Sequence, residues 1–143
     1  MIYTVLTKKA LKLCFEAHKE QVDKSGMPYV FHPFHVAEEM NDEETTIVAL
    51  LHDVIEDTDY TLNDLRNMGF SNEVVEAVEA MTHLPDVSYE DYLRNIKKNP
   101  IAKKVKLADI RHNSDQTRLD VIDEKAEYWK RKYQFAYQVL CEE

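Results

Sequence analysis

Apolar residues recur along this chain at helical spacing, cut at short intervals by capping residues and breakers. Between about Thr4 and Val22, Leu6, Ala10, Leu13, Cys14 and Ala17 share one side of a helix. Gly26 and Pro28 in "DKSGMPY" end it. A second helix starts within "VFHPFHVAEEM". Pro33 suits its first turn, and the restriction on a residue before proline puts His32 at or just before the cap. Asn41 or Asp42 can cap a third helix, "EETTIVALLHDVIEDT". Thr61 caps a short fourth, "LNDLRNMG", closed by Gly69; Ser71 caps a fifth, "NEVVEAVEAMTH", with a glutamate at or beside the capping-box position. After the loop "LPDVS" come a sixth helix, "YEDYLRNIKKN", and a seventh, "IAKKVKLADIRHNSD", opened by Pro100. A last helix runs from about Asp123 to Leu140 and includes Trp129, Tyr133 and Phe135; its Tyr and Trp residues read as core. No stretch alternates as a half-buried strand does, and there is no internal repeat or low-complexity linker. The pattern predicts an all-α fold, a bundle of about eight helices.

Length and composition narrow the class. The 143 residues suit one domain, 1–143, with a proper core, and the 44% hydrophobic content is enough to build it. Two glycines and four prolines are too few for the many turns of a sandwich or barrel. Cys14 and Cys141 match neither a zinc motif nor a disulfide framework, as expected for reduced thiols in the cytoplasm. The opening "MIYTVLTKKALKLC" lacks the apolar core and cleavage site of a signal peptide. No run reaches the roughly 18 apolar residues of a membrane span. The net charge of −9 opposes a general nucleic-acid binder, because phosphate backbones demand clustered cations. It leaves room for a small phosphorylated ligand held by a local cationic pocket or a metal.

The candidate chemistry sits at the end of the most apolar helix, in "LLHDVIEDTDYTLNDL". Residues three and four apart share a helix face, so His52, Asp53, Glu56 and Asp57 fall on one side. Their neighbours Ile47, Val48, Leu50, Leu51, Val54 and Ile55 are apolar on more than one side, which marks a central helix. Its polar face therefore opens into a cleft. Buried carboxylates require compensation by opposite charge. His32 heads the second helix, and Asp109 interrupts an apolar stretch in "KVKLADIRHNSD", with Lys106, His112 and Asn113 on its side. His32, His52, Asp53 and Asp109 can form a mixed nitrogen and oxygen shell suited to Mn, Fe or Zn with open positions for water. Such a metal lowers the pKa of bound water and clamps a phosphate oxygen. Glu56 and Asp57, one turn on, are placed to orient or deprotonate that water.

An HD pair in an apolar helix, with an upstream His and a downstream Asp, resembles the HD-domain metal-dependent phosphohydrolases. Three segments in order sharpen the resemblance. "MPYVFHPFHVAEEM", "ALLHDVIEDTDYTLNDL" and "VKLADIRHN" are similar to segments of the RelA/SpoT-type (p)ppGpp hydrolase domains, and the size is similar to the stand-alone small alarmone hydrolases. The resemblance covers roughly Ala10 to the end of the chain. It implies an HD-domain helical bundle, Mn2+ on His32, His52, Asp53 and Asp109, and Glu56 and Asp57 handling the attacking water. It implies Asn113 in the nucleotide site and Lys19 at a basic position near the end of the first helix. Family members often carry Arg-Lys there, the Arg stacking on guanine, where this chain has His18-Lys19. The tail "DIRHNSDQTRL" also departs from the family pattern. Both departures bear on guanine specificity more than on the metal chemistry.

The expected activity is removal of the 3′-pyrophosphate of guanosine tetra- or pentaphosphate, with no synthetase half. His18, Lys19, Asn113 and Arg111 are the candidate contacts of a small-molecule nucleotide substrate. One alternative is the same centre acting on another nucleotide or a phosphorylated cofactor. Another is a metal-containing sensor or interaction domain without turnover, against which the E-D pair speaks. The ordinary readings are kept beside these: a lone His-Asp pair as the polar edge of a core helix, His32 as a cap, Glu56 and Asp57 as solvated helix-end charges. His35, His83 and His112 have no assigned role, and the oligomeric state is open.

Overall fold

The computed structural model describes residues 1–142; Glu143, the last residue of the expected 1–143 domain and of its acidic terminus, lies outside the described residues. The helices are α1 (Val5–His18), α2 (Phe31–Glu38), α3 (Glu43–Leu51), α4 (Val54–Asp57), α5 (Leu62–Asn67), α6 (Asn72–Ala80), α7 (Tyr89–Lys97), α8 (Pro100–Asn113) and α9 (Glu124–Cys141), with a 3-10 turn at Gln116–Arg118. Among the described residues there is no strand, only an isolated antiparallel bridge between Val22 and Pro28. The all-α expectation holds, and so do the eight expected helices, the third of them broken in two at His52 and Asp53.

Local chemistry sets the ends. Asp42, Thr61, Ser71, Ser88, Asn99 and Asp123 each accept a backbone N–H of the first turn, satisfying a donor that the helix leaves orphaned. Pro100 follows its cap in the first turn of α8. α1 stops at His18, short of the expected Val22, and the second helix begins at Phe31, which places His32 inside its first turn and not at the cap.

α3 is the central element. Every residue from Thr45 to Leu51 is buried, as an all-round apolar helix requires. α1, α2, α6 and α8 pack around it. α8 presents Ala102, Val105 and Ala108, all fully buried, and brings Asp109 to within 3.3 Å of His52 at the end of α3. α9 closes the bundle against α7 and α8, but through Ala126, Ala136, Val139 and Leu140. Tyr128 and Tyr137 are exposed, and Trp129 and Tyr133 are only partly buried, so the expectation that the Tyr and Trp residues of this helix are core is corrected.

A tight hairpin joins α1 to α2. Tyr29 N–H donates to Gln21 O at 2.9 Å and Asp23 N–H to Met27 O at 2.8 Å, while Asp23 Oδ1 accepts from the amides of Ser25 and Met27. Gly26 turns it with a φ of 79°, a left-handed conformation that side chains resist. The hairpin brings Lys24 and Tyr29 toward α8 and α9.

Candidate metal centre

Three elements converge on one buried cluster. α2 supplies His32, the break between α3 and α4 supplies His52 and Asp53, and α8 supplies Asp109. His32 Nε2 lies 2.7 Å from Asp109 Oδ1. His52 Nε2 lies 3.3 Å from the same oxygen and 3.0 Å from Asp53 Oδ2. His32, His52 and Asp109 each offer a ligand atom within 4.8 Å of the others. The four residues expected as ligands thus come together, although they span most of the chain.

The tautomer of His52 tests whether a cation fits. Its Nδ1 is 2.6 Å from Ala49 O; a carbonyl only accepts, so Nδ1 carries the hydrogen. Nε2 of the neutral ring is then a bare lone pair. It is buried, makes no hydrogen bond, and faces the two carboxylates at distances that lack hydrogen-bond alignment. Two carboxylates and a lone pair at such range demand positive charge between them. A proton can supply it: burial pushes His52 toward neutrality, yet Asp53 and Asp109 outweigh burial and raise its pKa well above the ordinary value. Burial likewise pushes Asp53 up, but His52 holds it at about 2. Burial also opposes the ionisation of Asp109, and Lys106 with the histidines holds it well below the carboxylate range. A divalent cation supplies the charge better, with two imidazoles and two carboxylates as donors. A ring N–H donated to a backbone carbonyl is the usual support of a ligating histidine.

Further side chains hold the carboxylates. Tyr29 OH donates to Asp53 Oδ2. Lys106 Nζ, buried against the Tyr92 ring, pairs with Asp109 Oδ2 at 3.0 Å, and Asn113 Nδ2 donates to Asp109 Oδ1 at 3.2 Å. On α4, Glu56 is exposed and accepts the His83 backbone N–H. His83 is itself anchored through Nε2 to Val87 O at 2.6 Å and stacks on Tyr92. Asp57 is exposed as a residue, yet partial burial of its carboxyl, then the charges of Asp53 and Glu56, push its pKa up to about 6.

A cavity of about 240 Å3 adjoins the cluster and shares Tyr29 and Asn113 with it. Lys24, Arg118, Trp129 and Tyr133 line it as well. Lys24 Nζ lies over the Trp129 ring, 2.9 Å from its centroid. Arg118 donates to His112 O at 3.0 Å and to Asn113 Oδ1 at 3.3 Å.

Three expected substrate contacts lie elsewhere. His18 is 0% exposed, with Nδ1 bonded to Gln21 Oε1 at 2.8 Å and its ring edge-on to Tyr29, so no face is open for a base to stack. Lys19 is on the surface, paired with Glu16 at 2.9 Å. Arg111 is exposed and pairs with Glu39 at 3.0 Å on the outer side of α8. Asn113 alone of the four borders both the cluster and the cavity. Sequence reasoning missed Lys24, Tyr29, Arg118 and Trp129. Tyr29, three residues before His32 in "MPYVFH", was the one with a legible signal.

Comparison with known proteins agrees with the all-helical fold. The family described as "HD domain" matches residues 10–117. A guanosine-3′,5′-bis(diphosphate) 3′-pyrophosphohydrolase of Aquifex aeolicus is 38% identical over 87 residues, covering 58% of this chain and 12% of its own. The bifunctional (p)ppGpp synthase/hydrolase SpoT of Escherichia coli is 36% identical over 121 residues, covering 74% of this chain and 17% of its own. The chain therefore spans less than a fifth of the length of these two relatives. A solved structure, described as a metazoan ortholog of SpoT that hydrolyzes ppGpp, superposes with a TM-score of 0.82 over 99% of this chain and 89% of that one. At 23% identity it establishes the shared fold.

Proposed function

The chain belongs to the HD-domain family, and from that premise we propose a divalent-metal-dependent phosphohydrolase that removes the 3′-pyrophosphate of guanosine tetra- or pentaphosphate. Mn2+ is the proposed ion, held by His32, His52, Asp53 and Asp109. The observation that carries the reading is the buried Nε2 of His52, without a hydrogen-bond partner and set between two carboxylates. Bound there, such an ion would supply Lewis-acid charge for activating water and neutralising a phosphate.

The remaining steps belong to the side chains. Glu56, fixed by the His83 N–H, and Asp57 orient the attacking water and take its proton. Lys106 and Asn113 keep both Asp109 oxygens oriented. Lys24 and Arg118 place positive charge along the cavity where the phosphates lie, and Trp129 and Tyr133 offer flat faces for a base. Tyr29 and Asn113 stand where cavity and cluster meet, so a nucleotide seated in the cavity presents its phosphate to the cluster.

The test is a panel of guanosine and adenosine nucleotides with Mn2+, reading pyrophosphate against orthophosphate release. Pyrophosphate from guanosine tetraphosphate, lost in Asp53→Ala together with the bound metal, is the expected result. Metal-loaded protein that hydrolyses none of the bis-diphosphates refutes the alarmone reading. A second reading, another phosphorylated nucleotide at the same centre, is favoured by the burial of His18. Aromatic faces stack any base, and the residue expected to discriminate guanine is out of reach.

A further inference from the structure

His112 has no part in the ligand set or the cavity reading, yet it touches a ligand directly. Its Nδ1 lies 2.7 Å from Nδ1 of His32, the two rings parallel within 5°. His32 thus meets the edge of the ring, while His35 stacks on its face, ring centroids 3.9 Å apart, and the His112 carbonyl is held by Arg118. We propose that His112 is the positioning residue of His32, and that the proton between the two Nδ1 atoms changes owner when a cation binds. The inference rests on the cation reading above.

Two lone pairs repel at 2.7 Å, so one proton lies between the rings. With no cation between them, His32 Nε2 at 2.7 Å from the acceptor Asp109 Oδ1 has to carry a hydrogen. The neutral His32 ring then has a bare Nδ1, and His112 Nδ1–H is the donor. To ligate through Nε2, His32 must release that hydrogen and carry its remaining one on Nδ1. His112 Nδ1 must then be bare, with its hydrogen on Nε2. The balance closes: the His112 Nδ1 proton passes to His32 Nδ1, the His32 Nε2 proton leaves to solvent, and His112 Nε2 takes one from the outer groove that His112 lines. Net proton release is zero. Only a group that can both donate and accept supports both states. The carbonyl of Ala49, which holds His52, is acceptor-only and fixes that ring in its ligating tautomer. The two histidine ligands therefore differ: His52 is permanently set, and His32 is set by its neighbour.

The test uses the full chain labelled with 15N-histidine, metal-free and with Zn2+, a diamagnetic probe. The expected spectra show the His112 hydrogen on Nδ1 without Zn2+ and on Nε2 with it; an unchanged His112 tautomer overturns the inference. Affinity for Zn2+ and Mn2+ by chelator competition is the second readout. His112→Leu should bind about 10–100-fold more weakly, the usual effect of losing a ligand's partner. His112→Asn should recover most of that loss, because its amide reaches the Nδ1 position and rotates to present either oxygen or N–H. A merely structural role would lower the metal-free melting temperature and the affinity of the leucine and asparagine variants alike; the expected melting temperature of His112→Asn in chelator matches wild type, because its N–H still pairs the buried His32 Nδ1. Wild-type affinity in His112→Leu, with binding abolished in Asp109→Ala, sinks this inference alone. A wild-type chain that binds neither ion sinks the cation reading and the inference with it.

Discussion

Replacing Lys106 by methionine removes a buried charge while keeping the length and apolar stem of the side chain. Lys106 Nζ pairs with Asp109 Oδ2 at 3.0 Å, its side chain 13% exposed. Burial opposes its charge, but Asp109 outweighs burial and holds the ammonium on. Breaking a buried pair from one side costs about 3–5 kcal/mol, because the partner is left uncompensated. Asp109 keeps His32, His52 and Asn113 as neighbours, which puts the metal-free loss near the low end, about 3 kcal/mol. For a domain of this size that is roughly 6–12 °C in Tm. A bound cation changes the sum, since it compensates Asp109 directly and repels Lys106. The gap between wild type and Lys106→Met should therefore narrow in saturating Mn2+. By the thermodynamic cycle, each ~1.4 kcal/mol of narrowing is about a tenfold tighter Kd for Mn2+ in the variant. The assay is thermal unfolding of both proteins with chelator and with Mn2+, alongside direct metal titration. An equal gap under both conditions, or weaker Mn2+ binding by the variant, refutes the claim that lysine and cation compensate the same carboxylate.

Other expectations are smaller in scope. Glu56→Gln should keep the metal and lose roughly 100-fold or more in kcat; loss of metal with an unchanged rate per bound ion makes Glu56 a ligand instead. If Asp57 must be ionised to act, kcat should fall as pH drops through about 6, the pKa it is pushed up to by partial burial and then by Asp53 and Glu56. The sign for stability is opposite: between the ordinary value near 4 and about 6 the folded chain retains a proton that the unfolded chain has lost. The Asp57 contribution to stability therefore declines as pH rises through that window, and Asp57→Asn should remove both effects. Lys24→Met should raise KM for a nucleotide substrate several-fold, in line with roughly 1 kcal/mol or more for a charge-assisted contact, while Lys19→Met leaves KM unchanged; the reverse order would put the phosphates at the end of α1.

What was legible in the sequence follows the range of the forces. Capping is local, so Asp42, Thr61, Ser71 and Asp123 marked helix starts that the structure keeps. The convergence of the four proposed ligands was legible too, because histidines and carboxylates in apolar stretches are expensive anywhere except around a positive charge. The substrate side was not. Lys24 reaches the cavity only because the Val22–Pro28 bridge folds its loop back toward α9. His18 is buried only because Tyr29 and the turn at Gln21 close over the end of α1. Both are tertiary facts. Trp129 was misplaced for a related reason: helical periodicity assigns a face to an aromatic residue, and cannot tell a core from the wall of a cavity.

The break between α3 and α4 also escaped the periodicity, and it accounts for the chemistry better than the continuous helix expected there. In one unbroken helix the last-turn carbonyls of α3 would be taken by the N–H groups that follow. Where the helix stops they lose those partners, and Ala49 O accepts the His52 ring instead. The stop thus sets the hydrogen on Nδ1 and turns Nε2 inward. Asp53, at φ −103° and ψ −2°, takes the sparsely populated bridge conformation in which active-site residues often sit. There its carboxylate reaches both the Tyr29 hydroxyl and the neighbourhood of His52 Nε2. α4 then restarts with Glu56 and Asp57 in a fresh turn, where Glu56 meets the His83 amide. One interruption of the backbone fixes the tautomer of His52, aims Asp53, and sets Glu56 and Asp57, the proposed acid–base pair, beside them.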